Sequence, residues 1–191
     1  MRSKIFSLLA IFTAVAALFG CNKTPEQFQP SNSKQISFKT IPAGRQIKTT
    51  MKGDYFKLDE VLFQRLFNYL KSNNLSMTVP VIATIGETAG MAFYINPTEY
   101  NRATKSTTLV AVIDTPPQLV AILACSGNNN QEKFNSGTQE LKSQLKKYPQ
   151  YAVDGEFFVT YWDAPFWPSF MRHYEIAVPV KLISEHEVNH E

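Results

Sequence analysis

A repeated order of helix-type and strand-type segments is the feature that most constrains how this chain can fold. Between residues 34 and 180, one segment with the apolar period of an α-helix lies among segments that alternate with a period of two. The same order then occurs a second time, so that each half reads strand, strand, helix, strand, strand. This pattern predicts an α+β domain with an antiparallel sheet.

Turn residues such as Pro, Gly and Asn separate the predicted segments. In the first half we expect strands at 35–40, 45–51, 75–85 and 91–95, and a helix from Tyr55 to Lys71. In the second half we expect strands at 108–113, 118–126, 156–162 and 173–180, with a helix whose apolar face carries Phe134, Leu141, Leu145 and Tyr148. Gly137 is an unfavourable residue for the start of that second helix.

The first twenty residues have the organisation of an export signal. Arg2 and Lys4 form a short positive region, and an almost entirely apolar run follows from Ile5 to Leu18. The run stops at Gly20-Cys21, which resembles the bacterial lipobox, in which the cysteine thiol is acylated and the chain is cut before it. We therefore predict a signal peptide at 1–20. The alternative is an uncleaved transmembrane anchor, for which the apolar run is at the short limit.

The same resemblance implies a lipoprotein that is anchored to a membrane by fatty acyl chains, palmitate among them, on Cys21. Residues 21–33 are rich in Pro, Gln, Asn and Ser and are interpreted as a flexible tether. Asn22 is not an aspartate, and by resemblance to the known sorting pattern a Gram-negative host would place the protein in the outer membrane, facing the periplasm. The folded domain is expected at 34–180, and residues 181–191 form a C-terminal tail.

Charge and cysteine content exclude some function classes. Removal of Arg2 and Lys4 with the signal lowers the formal net charge from +3 to +1, and this near-neutral balance argues against nucleic acid as a partner. The chain has two cysteines. If Cys21 carries lipid, Cys125 has no partner for an internal disulfide, and a buried inert thiol is its expected state.

Three segments of the predicted domain are similar to the SOUL/heme-binding-protein family. They are FQRLFNYLKSNN followed by MTVPV within Phe63–Val81, GMAFYINPTEY at Gly90–Tyr100, and FFVTYWDAPFWPSFMRHYEIAV at Phe157–Val178. The resemblance covers roughly residues 34–180. It implies a duplicated unit that forms a distorted antiparallel β-barrel flanked by two helices, as in effector-binding domains, which agrees with the two halves identified above.

The resemblance also implies that heme or a related porphyrin binds in an apolar cleft beside the first helix. Phe63 and Phe67 are one helical turn apart, so they share a face and are suited to stacking on a flat ring. The segment containing Phe166 and Trp167 matches the part of the family sequence that closes over this cleft. The alternative is that these rings pack the core, the commoner role of such residues.

Several residues bear on whether heme fits. The chain has no histidine before His173, so an iron would depend on that residue, on Met77, Met91 or Met171, or on apolar contact alone. Arg65 and Arg172 are the nearest basic residues for the heme propionates, whereas Glu60 and Asn68 occupy positions where a basic residue would help.

Other functions are considered beside a non-enzymatic binding protein. The fold could serve as a structural or envelope-interaction lipoprotein without heme, or as a small hydrolase with a cleft glutamate, for which Glu99, Glu156 and Glu175 are the acids nearest apolar segments. For Glu175 a structural hydrogen-bonding role is expected, and no catalytic residue is assigned. His186 to His190 spell the HExxH zinc motif, but at the end of the chain we interpret them as a solvated tail rather than a metal site.

Overall fold

The computed structural model of the chain describes residues 30–31, 35–163 and 168–183. In chain order the elements are β1 (Ser37–Ile41), β2 (Gly44–Lys52), α1 (Tyr55–Ser72), β3 (Val81–Thr84), β4 (Thr88–Tyr94), β5 (Ala111–Thr115), β6 (Gln118–Ser126), α2 (Gln131–Leu145), β7 (Tyr151–Val153), β8 (Phe158–Tyr161) and β9 (His173–Leu182). Single 3-10 turns lie at Pro97–Glu99 and Ser169–Met171. The predicted signal peptide, Cys21 and most of the tether and tail lie outside the described residues.

The strands form a curled antiparallel sheet that makes a half-barrel, which confirms the predicted α+β fold class. The strand order is β1-β6-β9-β8-β3-β4-β2-β5, with β7 paired to β9 beside this path. The counterparts in the two halves are β1 and β5, β2 and β6, β3 and β8, and β4 and β9. If each strand is replaced by its counterpart, the strand order is the same when it is read from the opposite edge of the sheet. The repeat found in the sequence is therefore a pseudo-twofold repeat of the sheet, with its axis between β3 and β8.

The edge strands are exchanged between the halves. β1 belongs to the first half but pairs with β6 of the second, and β5 of the second half pairs with β2 of the first. β3 and β8 join the halves again at the centre of the sheet. Neither half can complete its own sheet, because three of the strand pairings cross from one half to the other.

Both helices lie on one face of the sheet. Asp54 caps the start of α1 by accepting a hydrogen bond from the Phe56 N–H, and Asn130 caps α2 in the same way through the Lys133 N–H. α1 packs on β2 and β4, and α2 packs on β6 and β9. The residues that the helices bury in the main core are Tyr55, Leu62, Leu66, Tyr69 and Leu70 from α1 and Phe134, Leu141 and Leu145 from α2.

The other face of the sheet is also buried in part, although neither of the two described helices lies on it. Val120, Ile122 and Ala177 have no exposed surface, and they form a second apolar cluster with Ile41 and Trp162. The curl of the sheet brings these side chains together, so we call this the concave face. The face that carries α1 and α2 is called the helix face.

The observed elements differ from the predicted ones at a few points. The strand expected from residue 75 begins only at Val81, because Pro80 has no N–H to give to a sheet. The strand expected at 108–113 lies at 111–115. The hydroxyls of Thr107 and Ser106 accept hydrogen bonds from the N–H groups of Val110 and Val112, and these local bonds prevent an earlier start of the strand. The short strand β7 was not predicted.

None of the helices in the described ranges is long and apolar enough to cross a membrane.

Candidate ligand-binding cleft

A cleft of about 330 Å³ lies on the helix face, beside the first half of α1. This volume is near the lower end of the range for small-molecule sites. The cleft is bounded by α1, by β3, β4 and β8, and by the segment that leads from β6 into α2. The lining residues are Tyr55, Phe56, Asp59, Glu60, Phe63, Val81, Met91, Gly127, Asn128, Asn129, Tyr161, Asp163 and Arg172.

α1 forms the aromatic wall of the cleft. Tyr55, Asp59 and Phe63 are spaced by four residues and therefore lie on one side of the helix. The Phe63 ring is held from behind, since its centroid is 5.6 Å from that of Phe93 in an edge contact and 5.7 Å from that of Phe67 in a stacked one. The wall thus consists of rings that pack on one another rather than of a single isolated ring.

The four predicted binding residues have different places. Phe63 lines the cleft, whereas Phe67 stacks on Phe63 one turn further along α1 and is not part of the lining. Phe166 and Trp167 lie outside the described residues, as does Cys21. Asp163 and Arg172 do line the cleft, and they stand on either side of the segment that contains Phe166 and Trp167.

Two phenols that the sequence did not indicate line the cleft, those of the buried Tyr55 and the partly buried Tyr161. Burial raises the pKa of Tyr55 well above its usual value, and burial likewise raises the pKa of Tyr161 to about 12, although a hydrogen bond from Asn129 opposes this. Asn129 Nδ2 donates to the Tyr161 hydroxyl over 2.9 Å. Both phenols are therefore neutral hydrogen-bonding groups at ordinary pH. Residues 55, 129 and 161 are far apart in the chain, and no local pattern connects them.

The charged groups at the rim are mostly acidic. Asp59, Glu60 and Asp163 face one guanidinium, that of Arg172, across the lining of the cleft. Arg65, the other basic residue considered for the heme propionates, is not part of this lining, and its Nη1 lies 3.5 Å from the Thr50 carbonyl oxygen. A flat apolar ring fits the aromatic wall, but among the described lining residues Arg172 is the only cation for two propionates. A bound heme would therefore have to direct at least one propionate to solvent.

Met91 is the iron-binding candidate that the cleft contains. It lies in β4, is 5% exposed, and lines the cleft. Met77 packs against the main core, and Met171 is exposed. His173 Nδ1 is 3.0 Å from Asp163 Oδ2, and neither His173 nor any other histidine or cysteine belongs to the described lining. In the described ranges, no group of three or more His, Cys, Asp or Glu residues is placed to hold a metal ion.

The candidate acids for a hydrolase are away from the cleft. Glu175 is 1% exposed on the concave face, where it accepts hydrogen bonds from Lys39 Nζ over 2.7 Å and from Thr160 Oγ1 over 3.0 Å. Burial lowers the pKa of Lys39, and its contact with Glu175 opposes this shift. Glu99 is likewise occupied, by Ser76 and Arg102. Glu175 thus has the expected structural hydrogen-bonding role and not that of an unpaired cleft acid.

Comparisons with known proteins support the fold and the family. The family described as SOUL heme-binding protein matches residues 25–179. A search of curated proteins gave no match. The crystal structure of the EcmrR C-terminal domain has a TM-score of 0.62 at 16% identity, over 78% of this chain and 98% of that one.

Two further structures are similar. A cryo-EM structure of an EcmrR–DNA complex has a TM-score of 0.63 at 12% identity, over 94% of this chain and 65% of the other chain, so this protein spans less than two thirds of its length. A crystal structure of a hydrolase from Listeria innocua has a TM-score of 0.54 at 11% identity, over 81% of this chain and 94% of that one. At these identities the similarity shows a shared fold alone.

Proposed function

This chain belongs to the SOUL heme-binding protein family, and from that premise we propose that it binds heme or a related porphyrin in the cleft beside α1. The observation that carries the proposal is the position of the cleft. It has a rigid aromatic wall on the same helix whose sequence carries the family resemblance, and Phe63 is part of that wall.

Each part of the cleft has a separate role in this proposal. Phe56 and Phe63 offer ring faces to the macrocycle, and Met91 provides an apolar floor whose thioether is also a possible iron ligand. Arg172 pairs with one propionate, while the neutral Tyr161 hydroxyl donates or accepts a hydrogen bond at the back. Bound heme would supply a redox-active iron. We assign no catalytic residue and propose a binding protein rather than an enzyme.

We extend the proposal to a lipid anchor at Cys21. An export signal at 1–20 and a tether at 21–33 would hold the domain at a membrane, in a Gram-negative host at the periplasmic side of the outer membrane. The support is the order of positive, apolar and Gly-Cys residues in the sequence. We expect Cys21→Ser to move the chain from the membrane fraction to the soluble fraction and to abolish labelling by radioactive palmitate. Labelling that persists in Cys21→Ser would contradict the anchor.

Heme titration of the fragment from Asn22 to Glu191, followed by Soret absorbance, tests the binding proposal. The fragment contains every element described above. We expect saturable one-to-one binding that Phe63→Ala weakens by about tenfold, because loss of a stacked ring and its buried area removes roughly 1.4 kcal/mol. Phe67→Ala is expected to have a smaller effect, since its ring acts only by holding Phe63.

Phe38→Ala is a matched control for this experiment. Phe38 is also partly buried and also stacks on another ring, with its centroid 4.2 Å from that of Tyr151, but it does not line the cleft. A loss of affinity equal to that of Phe63→Ala would mean that reduced stability causes both effects. An absorbance change without saturation would refute heme binding and would favour the structural or envelope-interaction role on the same fold.

A further inference from the structure

The turn between β8 and β9 exposes two large apolar side chains. Phe170 is 76% exposed and its neighbour Met171 is 47% exposed. The other exposed large apolar residues in the described ranges are not adjacent to one another in the chain; they are Val61, Leu109, Val153 and Leu182. Single exposed apolar residues are ordinary, whereas exposed apolar side chains that are contiguous point to an interaction surface.

The N-terminal part of the chain meets the domain at the same end of the sheet. The Ser31 N–H donates to Glu175 Oε1 over 2.7 Å, and Glu175 is the third residue of β9. β9 starts directly after the turn that contains Phe170 and Met171. The chain that leads back from Ser31 towards Cys21 therefore starts from the end of β9 at which these two side chains are exposed.

The covalent distance from Ser31 to the proposed anchor is short. Ser31 follows Cys21 by ten residues, and such a segment spans at most about 35 Å when fully extended. An acylated Cys21 would keep this end of the domain within about 35 Å of a lipid surface. Aromatic and thioether side chains that face such a surface are favoured at the boundary between head groups and acyl chains.

We propose that the exposed side chains of Phe170 and Met171, just before β9, rest on the lipid surface in contact with the acyl region. This inference rests on the lipid anchor of the proposed function and is independent of heme binding. Arg172 directly follows Met171 and also lines the cleft. The cleft therefore opens beside the membrane, where an apolar ligand can pass between lipid and protein without crossing bulk water.

The test uses the full lipidated chain in phosphatidylcholine vesicles, with an environment-sensitive fluorophore at one introduced cysteine. Cys125→Ser removes the partly buried native thiol. Phe170→Cys carries the label at the turn, and Val153→Cys carries it at a control site. Val153 is 47% exposed and pairs with Val180, near the opposite end of β9. Both positions are exposed, so neither label disturbs the core.

We expect lipids with a nitroxide on the acyl chain to quench the label at position 170 at least twofold more than the label at position 153. Equal quenching at both positions, or stronger quenching at 153, would overturn the proposed orientation. A chain recovered only from the soluble fraction would overturn both the anchor and the orientation. Heme titration of the soluble fragment does not depend on the membrane. Failure of heme binding is therefore distinguishable from failure of the proposed orientation.

Discussion

Two partly buried tyrosines on opposite faces of the sheet have raised pKa values and make the stability of the fold sensitive to alkaline pH. Tyr161 is at the back of the cleft on the helix face, and Tyr94 is on the concave face, where it pairs with Gln46 across β2 and β4. Burial raises the pKa of each phenol to about 12. In both cases hydrogen bonds to neighbouring polar groups reduce the shift, but burial is the larger effect.

These shifts predict a loss of stability at high pH. A phenol whose pKa is higher in the folded state keeps its proton at a pH at which the unfolded chain has lost it. Its contribution to the free energy of unfolding is therefore complete below about pH 10 and is lost as the pH rises towards 12. Each tyrosine is expected to contribute on the order of 2 kcal/mol to the free energy of unfolding below that pH range. Urea unfolding at pH 9 and pH 11 measures the change in the free energy of unfolding.

Phenylalanine variants identify the source of this pH dependence. Tyr94→Phe and Tyr161→Phe cannot ionise, and each is expected to lose less stability than the natural chain between pH 9 and pH 11. If both variants lose as much stability as the natural chain, other groups cause the alkaline transition and the assignment is wrong.

Glu175 shows why a buried acid cannot be assigned from its sequence alone. Its neighbours in β9 are apolar, as is expected for a core strand. Its partners are Lys39 in β1, Thr160 in β8 and the Ser31 amide, all of which are distant in sequence. An ion pair in which both groups are largely buried is a structural element, and removal of either partner would leave an uncompensated charge.

At the scale of elements, Gly137 determines how closely α2 approaches β9. The sequence marks this glycine as unfavourable for a helix, yet α2 runs through it from Gln131 to Leu145. A Cβ atom at residue 137 would overlap with Cδ1 of Ile176, which has no exposed surface. The helix therefore gives up some intrinsic propensity, and the closer packing on the sheet compensates for it.

Gly137→Ala is expected to destabilise the protein by about 1–3 kcal/mol, because the added methyl group overpacks the interface between α2 and β9. An alanine that fitted would instead stabilise a helix by up to about 1 kcal/mol. Thermal or urea unfolding distinguishes the two signs. Gly86→Ala is the control, since a Cβ atom there meets nothing within 4 Å.

Ile176→Val provides a second check, because it removes the atom with which the new methyl group collides. In the Gly137→Ala background this change is expected to cost less stability than it does in the natural chain, where it costs roughly 0.5–1.5 kcal/mol. Strictly additive effects would show that the two side chains do not interact and would contradict the proposed overlap.

At the scale of the whole molecule, the exchange of edge strands makes the two halves one folding unit. β1 is held by β6, β5 is held by β2, and β3 joins β8 at the centre. The ion pair between Lys39 and Glu175 adds a polar link between β1 and β9. A duplicated sequence can give two independent domains, but here the pairing pattern excludes that arrangement.

We therefore expect a single cooperative unfolding transition. Far-UV circular dichroism and tryptophan fluorescence should give the same urea midpoint, as two-state unfolding requires. A fragment of residues 35–103 is expected to remain unfolded, because its strands lack β5, β6 and β8 as partners. Two separate transitions, or a folded fragment, would contradict the interlocked arrangement.

Much of the fold was predictable because side-chain periodicity is a local signal. α1 ends one residue after its predicted limit, and both β6 and the start of β9 lie where they were expected. Prediction failed where long-range or turn interactions outweigh the period. β7 is three residues long, too short for alternation to be recognised, and its pairing with β9 holds it in place. Val61 counts as apolar in the helix pattern, but it is 44% exposed.

The sequence by itself determined the fold class, the repeated order of elements and the family resemblance, since each depends on neighbouring residues. Only the tertiary structure decided which strands pair across the repeat, that Phe67 stands behind Phe63, and that Tyr161 and Asn129 form the back of the cleft. It also decided that Glu175 faces Lys39 rather than the cleft. The physical reason is that periodicity tells which face of an element is buried, whereas the partner on that face is set by the pairing of segments far apart in the chain.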